Sequence, residues 1–498
     1  MEDRSRIPVA LPVNNPVPSY WHNPKSPLAN VIEPETDRTT VPYDYAIIGS
    51  GISGTMIAYN LLLLHPDARV VMIEAREICS GATGRNGGHT KAASYRSYLQ
   101  HVQELGKDEA LKIARLEYEN IVQTHGLAAE LGIDCESMLC DTVDVLYDSE
   151  TFKMGKVAIE ALRADAHEGE KERGGMAWYE IHEKGDEEIE KCFVAPENTN
   201  PTVKSEEKVA GMFRYLAGRI HAYRFTTGIL QDCVKRGLQL CANTPVRAIE
   251  PSCNPATSPP SWDIFTTHNT IKATNIILAT NGYTPYLLPD IQGAIVPMRG
   301  QITAQRPGAS TKLASPLPTT YSFIYKDGYE YMIPRPLPNN KQHIIIGGGL
   351  GRLPNAGASE YGIVNDSTLN PEISTYLRNS LTGYFGAENW GEKDDEEAEA
   401  RVVQEWTGIM GATADGRPFV GEVPGKKGVW LSAGFNGHGM VLCLRVAEAL
   451  VEMMGVGCEG GVPGWLPESF LFTEERLSRL RNVGFGGRRD MQTGELSP

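Results

Sequence analysis

The chain contains no apolar run long enough to cross a bilayer. Its longest, Met56 to Leu64, includes Tyr59 and Asn60 and falls well short of the roughly 20 residues a spanning helix needs. There is no CxxC pair either. The nine cysteines, at 79, 135, 140, 192, 233, 241, 253, 443 and 458, are scattered and odd in number, which argues against a disulfide framework and against a zinc site. No bound metal is expected. Positive charge is also scarce, with 47 Lys and Arg against 62 Asp and Glu, a formal charge of -15. Such a surface repels phosphate backbones and anionic lipid, so neither nucleic acid nor membrane is an expected partner. The N-terminal MEDRSRIPVALPVNNPVPSYW is broken by prolines where a secretory signal needs a continuous apolar core, and the C-terminal GELSP is not of the Ser-Lys-Leu type. These gaps lead us to expect a cytoplasmic protein in a reducing compartment.

What is present points to a large globular chain. At 498 residues it is about three times the ~150 residues of a typical domain, and 41% apolar and 22% charged residues with 51 Gly and 32 Pro suit an α/β protein rich in tight turns. Residues 1–42 hold eight prolines and no periodicity, which predicts an extended arm lying over the surface or partly mobile. The folded body begins near Tyr43. Tyr45 to Ile48 reads as a short buried strand, Gly49 to Gly54 as a turn, Ile52 to His65 as an apolar helix and Arg69 to Ile73 as a second strand. Residues 97 to 132 have helical spacing, whereas 147 to 208 read as charged and irregular, with Glu168 to Arg173 a solvated face. Strands follow in VRAIE from Val246, WDIFTTH from Trp262 and TIKATNIILAT from Thr270, the first two separated by the loop Pro251 to Pro260. A hairpin is expected over Tyr321 to Ile333 around Lys326, Asp327 and Gly328, then a strand His343 to Ile346. The charge run Glu392 to Glu399 reads as surface. A last helix is expected from Gly439 to Met454.

The chemistry starts at the glycine turn. Gly49, Ser50, Gly51, Ile52, Ser53 and Gly54 form a GxGxxG sequence in which Gly49 permits the bend, Gly51 lets backbone approach a diphosphate and Gly54 lets the helix pack on the sheet. Glu74 lies 20 residues after Gly54 at the end of the second strand, where a carboxylate can accept from both ribose hydroxyls; a surface Glu ending a strand is the plain alternative. Next come Ser80, Gly81, Ala82, Thr83, Gly84, Arg85, Asn86, Gly87, Gly88 and His89. So many small residues suit backbone that passes close to a flat ring.

With that segment the chain resembles the FAD-dependent oxidoreductases of the D-amino-acid oxidase superfamily, particularly the branch containing glutamylputrescine oxidase and its fungal relatives. The likeness begins at Ser19, Tyr20 and Trp21 and continues through both glycine motifs and Gly218 to Ala222. It then takes in Ala279 to Tyr283, Val296 to Gln301, Gly347 to Gly349, Glu405 to Gly408 and Gly434 to Met440. It implies a Rossmann-like, glutathione-reductase-like FAD domain with an inserted mixed-sheet substrate domain, an α/β (α+β) fold. The division it implies is an arm over 1–42, a FAD domain from 43–96, 209–290 and 403–460, a substrate domain from 97–208 and 291–402, and an extension over 461–498. It also implies cofactor contacts at Ala75 and Arg76 beside Glu74, at Val246 near the adenine, at Ala279, Thr280, Asn281 and Gly282, at Gly408, and at Phe435, Asn436, Gly437, His438, Gly439 and Met440. The last group is expected to open the final helix with its positive end toward the flavin. His438, enclosed by glycines, reads as a structural histidine rather than a proton carrier.

The departures matter. Thr407 to Asp415 contains no cysteine, so the FAD that the resemblance implies is expected to be non-covalent. The lysine that sarcosine oxidases of the superfamily use to activate oxygen is missing, because Ile344 to Ile346 occupies that strand. Lys91 is the nearest basic replacement, with a solvated surface lysine the alternative. Arg299, Tyr325, Tyr329, Tyr331 and Arg335 are substrate candidates, the tyrosines as an aromatic wall and an arginine as carboxylate partner, or else a half-buried sheet face. The expected activity is oxidation of a small-molecule amine, whether secondary, a polyamine derivative or amino-acid-like, by hydride transfer to flavin N5. Molecular oxygen would then reoxidise the flavin, giving hydrogen peroxide. A FAD dehydrogenase with another acceptor, or a flavin-binding protein without turnover, are the alternatives.

Overall fold

The computed structural model describes residues 1–31, 41–252, 261–391 and 398–485. Most of the loop Pro251 to Pro260, most of the charge run Glu392 to Glu399 and everything after residue 485 lie outside the described residues.

Two sheets organise the chain. The first runs Phe419–Glu422, Val429–Ala433, Thr270–Leu278, Tyr43–Ile48, Val70–Ile73 and Gln239–Cys241, with Trp262–Thr266 paired to its Thr270–Leu278 strand and Val246–Pro251 paired in turn to Trp262–Thr266. Its centre is parallel, Ile47 lying opposite Ile277 on one side and Met72 on the other. The runs Ala46 to Ile48 and Val70 to Ile73 are apolar and buried throughout because both faces are covered there. Alternation along them sends Ala46, Ile48, Val71 and Ile73 into one core and Ile47, Val70 and Met72 into another. The second core includes the helix Ile52–Leu64, which is buried almost all round against the helices Ala222–Lys235 and Cys443–Met453. Gly54 allows this packing: a β-carbon there would lie 2.1 Å from the Gly49 carbonyl oxygen.

The second sheet is mixed. Its order is Val402–Thr413, Ile295–Gln305, Lys341–Gly347, Gly328–Leu337, Thr320–Tyr325, Met138–Leu146, Gly211–Arg219 and His89–Thr90, with Glu180–Glu183 on the edge of Gly211–Arg219. Three strands assigned from sequence to the cofactor side, His89–Thr90, Gly211–Arg219 and Val402–Thr413, belong to this sheet. Val402–Thr413 pairs along its whole length with Ile295–Gln305, so ladder hydrogen bonds rather than motif order decide its place.

The helical region expected over 97 to 132 is two helices, Tyr95–Leu105 and Lys107–Glu130, parted by Gly106 at φ +87°. The region expected to be irregular carries the helix Ser149–Asp165, capped by Asp148 and burying Phe152, Ile159 and Leu162; its polar face hid an ordinary amphipathic pattern. The N-terminal arm is not confined to the surface. Trp21 is 2% exposed and Tyr20 8%, because their rings pack against His221 and Trp406.

Glu117, on the helix Lys107–Glu130, is buried and accepts a hydrogen bond from Ser94 Oγ. Burial pushes its carboxyl up to about 7. A folded-state value above the unfolded one means the folded chain holds the proton longer, so stability is lost as pH rises from about 4.5 to 7. Glu117→Gln should flatten that decline, worth on the order of 3 kcal/mol between pH 5 and 8, in urea melts at the two pH values. An unchanged slope would assign the decline to other groups.

Candidate active site

Gly49 to Ser53 of the glycine turn, Gly81 to Thr83, Arg85 to His89, Thr280 and Asn281, and the segments Gly408 to Met410 and Phe435 to Met440 meet around one cavity at the junction of the two sheets; Gly54, expected among the cofactor contacts, does not line it and serves the helix packing. Where the first sheet meets it, Glu74, Ala75, Arg76, Thr244 and Val246 line the cavity; where the second does, Lys91, Arg96, Ser322, Tyr329 and Tyr331 line it.

Glu74 stands beside the turn rather than on an open surface. Its Oε2 accepts from Ser50 N at 3.0 Å and Ser50 Oγ at 2.7 Å, and its Oε1 from Arg76 N at 3.1 Å. Gly49 has φ +108°, and a β-carbon there would be 2.5 Å from the Ala279 carbonyl oxygen, so the turn is closed to any other residue. Ile52 N donates to Thr83 Oγ1 at 2.9 Å, which ties the helix start to the second small-residue segment.

Arg76 and Arg85 flank a single carboxylate. Arg76 donates to both oxygens of Asp366 at 3.0 and 3.1 Å, and Arg85 Nε lies 3.4 Å from Asp366 Oδ2. All three side chains are buried, leaving one surplus positive charge at the cavity wall. Tyr283, which lines the same wall, keeps a buried hydroxyl with no hydrogen-bond partner among the described residues. Surplus charge, an unpaired donor and a glycine cradle suit a dianionic diphosphate flanked by aromatic rings.

The segment Gly87 to His89 is pressed against the substrate-side sheet. A β-carbon on Gly87 would sit 2.2 Å from Tyr331 Cε2, and one on Gly88, at φ +76°, 2.3 Å from the Ile220 carbonyl oxygen. His89 Nε2 is engaged with Thr320 Oγ1 at 2.8 Å. The loop Gly434 to His438 is equally fixed, since Asn281 Oδ1 accepts from Gly434 N and Phe435 N, and Asn436 bonds Thr413. His438 Nδ1 donates to the Asn436 carbonyl at 2.9 Å, and burial lowers its pKa. The ring is a neutral, backbone-tied post.

One alternative falls away and three expectations change. Lys91 is no solvated lysine: its ammonium pairs with the fully buried Asp144 and with Ser322 Oγ while lining the cavity. Asp144 also accepts from the Tyr95 and Tyr215 hydroxyls, each at 2.8 Å. Arg299, Tyr325 and Arg335 do not line the cavity. Arg299 is spent on Glu360 at 2.7 Å and Arg335 on Glu136 at 3.1 Å, while Tyr325 donates to the buried Glu330 at 3.0 Å beneath the Arg352 guanidinium. Register explains the tyrosines: Ser322 opposes Tyr331 and Ile324 opposes Tyr329 on one face, whereas Tyr325 opposes Gly328 on the other. Gly282 does not line the cavity either; a β-carbon there would be 2.4 Å from the Met410 carbonyl oxygen, so its role is packing. Finally, the helix expected from Gly439 starts at Cys443, after a separate turn Gly439–Val441, and it is not the last, since Glu474–Val483 follows it. Its Leu444 and Arg445 amides are already taken by Asn120 Oδ1 at 3.0 and 3.1 Å, so the turn lines the cavity together with Cys443, while those two helix-end amides are spent elsewhere.

Sequence reading missed Arg96, Ser322, Asp144, Asp366 and Asn120. Arg96 stacks on Tyr329, 4.4 Å from the ring centre, and only the hairpin register would have revealed that pair.

The Glu74 contacts carry an expected result. Glu74→Ala should weaken FAD retention by about 1–3 kcal/mol, the cost of a lost charge-assisted hydrogen bond, measured as flavin remaining after gel filtration; full retention would remove Glu74 from the ribose.

Residues 44–453 match the family described as DAO, FAD dependent oxidoreductase. A probable oxidoreductase OrdL of Rhizobium meliloti (strain 1021) is 25% identical over 411 residues, 82% of each chain. A probable OrdL of Haemophilus influenzae is 21% identical over 470 residues, 90% of this chain and 89% of that one. Among solved structures, glycine oxidase from Geobacillus kaustophilus superposes with a TM-score of 0.63 at 19% identity, covering 87% of this chain and 99% of that one. L-proline dehydrogenase from P. horikoshii gives 0.63 at 18%, covering 89% and 99%. The matched span holds nearly all of the cavity's walls, and the chain belongs to the DAO family of FAD dependent oxidoreductases.

Proposed function

We propose that the protein oxidises an amine that carries a carboxylate, an amino acid or an N-substituted one, and that the reduced enzyme passes its electrons to molecular oxygen, giving hydrogen peroxide. The observation that carries this reading is the charge of the cavity. Among the described residues lining it, Glu74 is the one carboxylate, and it sits with Val246 on the first-sheet side, whereas Lys91, Arg96, Tyr329 and Tyr331 lie on the second-sheet side. A free polyamine, a multiple cation, would need acidic partners that the second side lacks; a polyamine derivative fits only if it carries a carboxylate of its own, as the resemblance to the glutamylputrescine oxidase branch would require. Glycine oxidases and L-proline dehydrogenase, to which the chain is similar in fold, act on amino acids.

The residues divide the work by position. Glu74 and Val246 would hold the adenosine of FAD, Gly49 to Ser53 with Arg76 and Arg85 the diphosphate, and Gly87 to His89, Gly408 and Gly437 to Met440 the flavin ring. FAD, when bound, takes up the hydride lost from the substrate's α-carbon. Arg96, kept in place by the Tyr329 ring, would pair with the carboxylate. The amine would then bind as its free base, since the His438 ring is tied to Asn436 and no dedicated base is needed. Lys91 would hold positive charge where oxygen is reduced. The imine released to water hydrolyses to a carbonyl compound and the residual amine or ammonia.

Arg96→Met tests the reading. It should raise the Kd of a carboxylate-bearing substrate about 10- to 100-fold while leaving the weaker binding of the matching decarboxylated amine unchanged. Equal losses for both ligands, or none, would contradict the assignment.

A further inference from the structure

The family match begins at residue 44, yet the cavity wall does not. Leu11 and Pro12 line it, and the segment that follows is fastened to the cofactor loops at successive points. The Val13 carbonyl accepts from Arg76 Nη1 at 3.2 Å and the Val17 carbonyl from Arg85 Nη1 at 2.7 Å. Ser19 Oγ donates to the Gly84 carbonyl at 2.7 Å, and Trp21 Nε1 to the Asn86 carbonyl. Val17 N donates to the Asp366 carbonyl at 2.8 Å. Asp366 is also the carboxylate shared by Arg76 and Arg85.

We propose that residues 11–22 are a strap that completes the FAD site and must lift before FAD can leave. The same two guanidiniums that face the cavity hold the strap's carbonyls, and the carbonyls of Gly84 and Asn86, within the small-residue segment, receive the strap's side chains. Anything that loosens the strap therefore frees both the diphosphate side and the ring-side loop of the cavity at once. Conversely, FAD that orders Arg76, Arg85 and the Gly81 to His89 segment holds the strap down; the coupling is reciprocal. Trp21 is the anchor, because its ring is buried against His221 at 4.6 Å while its N–H reaches the loop.

The test uses purified holoenzyme and FAD itself. FAD release after dilution, read as the gain in flavin fluorescence, is compared for the full chain, a chain lacking residues 1–18, and Trp21→Phe, which keeps an aromatic ring but removes the N–H. Release should be about tenfold faster without residues 1–18 and several-fold faster in Trp21→Phe, a single lost hydrogen bond being worth about that much. Hydrogen exchange of the central strand Thr270–Leu278 should stay as slow as in the full chain. If the deletion fails to fold, Trp21→Phe decides alone. Unchanged release, or faster release only together with lost protection of that central strand, would overturn the strap and leave residues 11–22 as ordinary packing.

Discussion

Lys91→Met should lower the unfolding free energy by about 3–5 kcal/mol, and Asp144→Asn in the same chain should return most of it. Asp144 is fully buried, and its one cationic partner among the described residues is Lys91. Removing the ammonium leaves a carboxylate whose remaining partners are the neutral Tyr95 and Tyr215 hydroxyls, and breaking one side of a buried pair costs more than replacing both. Asparagine keeps an acceptor for the two phenols without the charge. The kinetic consequence is separable. If Lys91 supplies charge where oxygen is reduced, Lys91→Met slows reoxidation about 100-fold or more and reduction by substrate far less, and Asp144→Asn does not restore it. Stopped-flow traces of the two half-reactions check this; equal effects on both, or none, would remove Lys91 from that role while leaving the stability result intact.

Gly87→Ala should cost FAD affinity by up to about 100-fold. The added methyl would lie 2.2 Å from Tyr331 Cε2 and 3.1 Å from Cδ2, and a ring held between Gly87 and Gly347 has little room to turn, since a β-carbon on Gly347 would be 2.6 Å from the Tyr331 hydroxyl. The loop must therefore move into the cavity, an overpacking penalty of about 1–3 kcal/mol. Tyr331→Ala in the same chain should recover cofactor binding, because the cavity wall then yields instead of the loop. Equilibrium titration of flavin fluorescence measures both, and a failure of the second substitution to rescue would mean that the clash lies elsewhere.

The parts of this site that could be read from the chain are those in which local geometry and chemistry coincide. Gly49 must be glycine for the bend, Glu74 must end the second strand, and the small residues from Gly81 to Gly88 leave space for a ring; each is visible within a few residues of sequence. The groups on the second-sheet side of the cavity are assembled by long-range register. Ser322, Tyr329 and Tyr331 share a face only because a two-residue turn at Lys326 and Asp327 sets the pairing, and counting that turn would have excluded Tyr325. Lys91 and Asp144 meet across 53 positions, and nothing near either residue announces the other. Asp366 is similarly remote from the two arginines it serves. The helix Ser149–Asp165 was legible in its Phe152, Ile159 and Leu162 spacing but masked by surrounding charge. The proline-rich arm gives no periodic signal at all, so the burial of Trp21 is a purely tertiary result.

In the proposed reaction this cavity brings FAD together with an amine that carries a carboxylate. Anaerobic mixing of the holoenzyme with paired ligands, an amino acid or N-methyl amino acid beside its decarboxylated amine and its hydroxy-acid analogue, tests it most directly, with bleaching of the flavin absorbance as the readout. The carboxylate-bearing amine should bleach the flavin, the decarboxylated amine should do so much more slowly and the hydroxy acid not at all; bleaching by hydroxy acids but by no amine, or preference for a free polyamine, would overturn the proposed function.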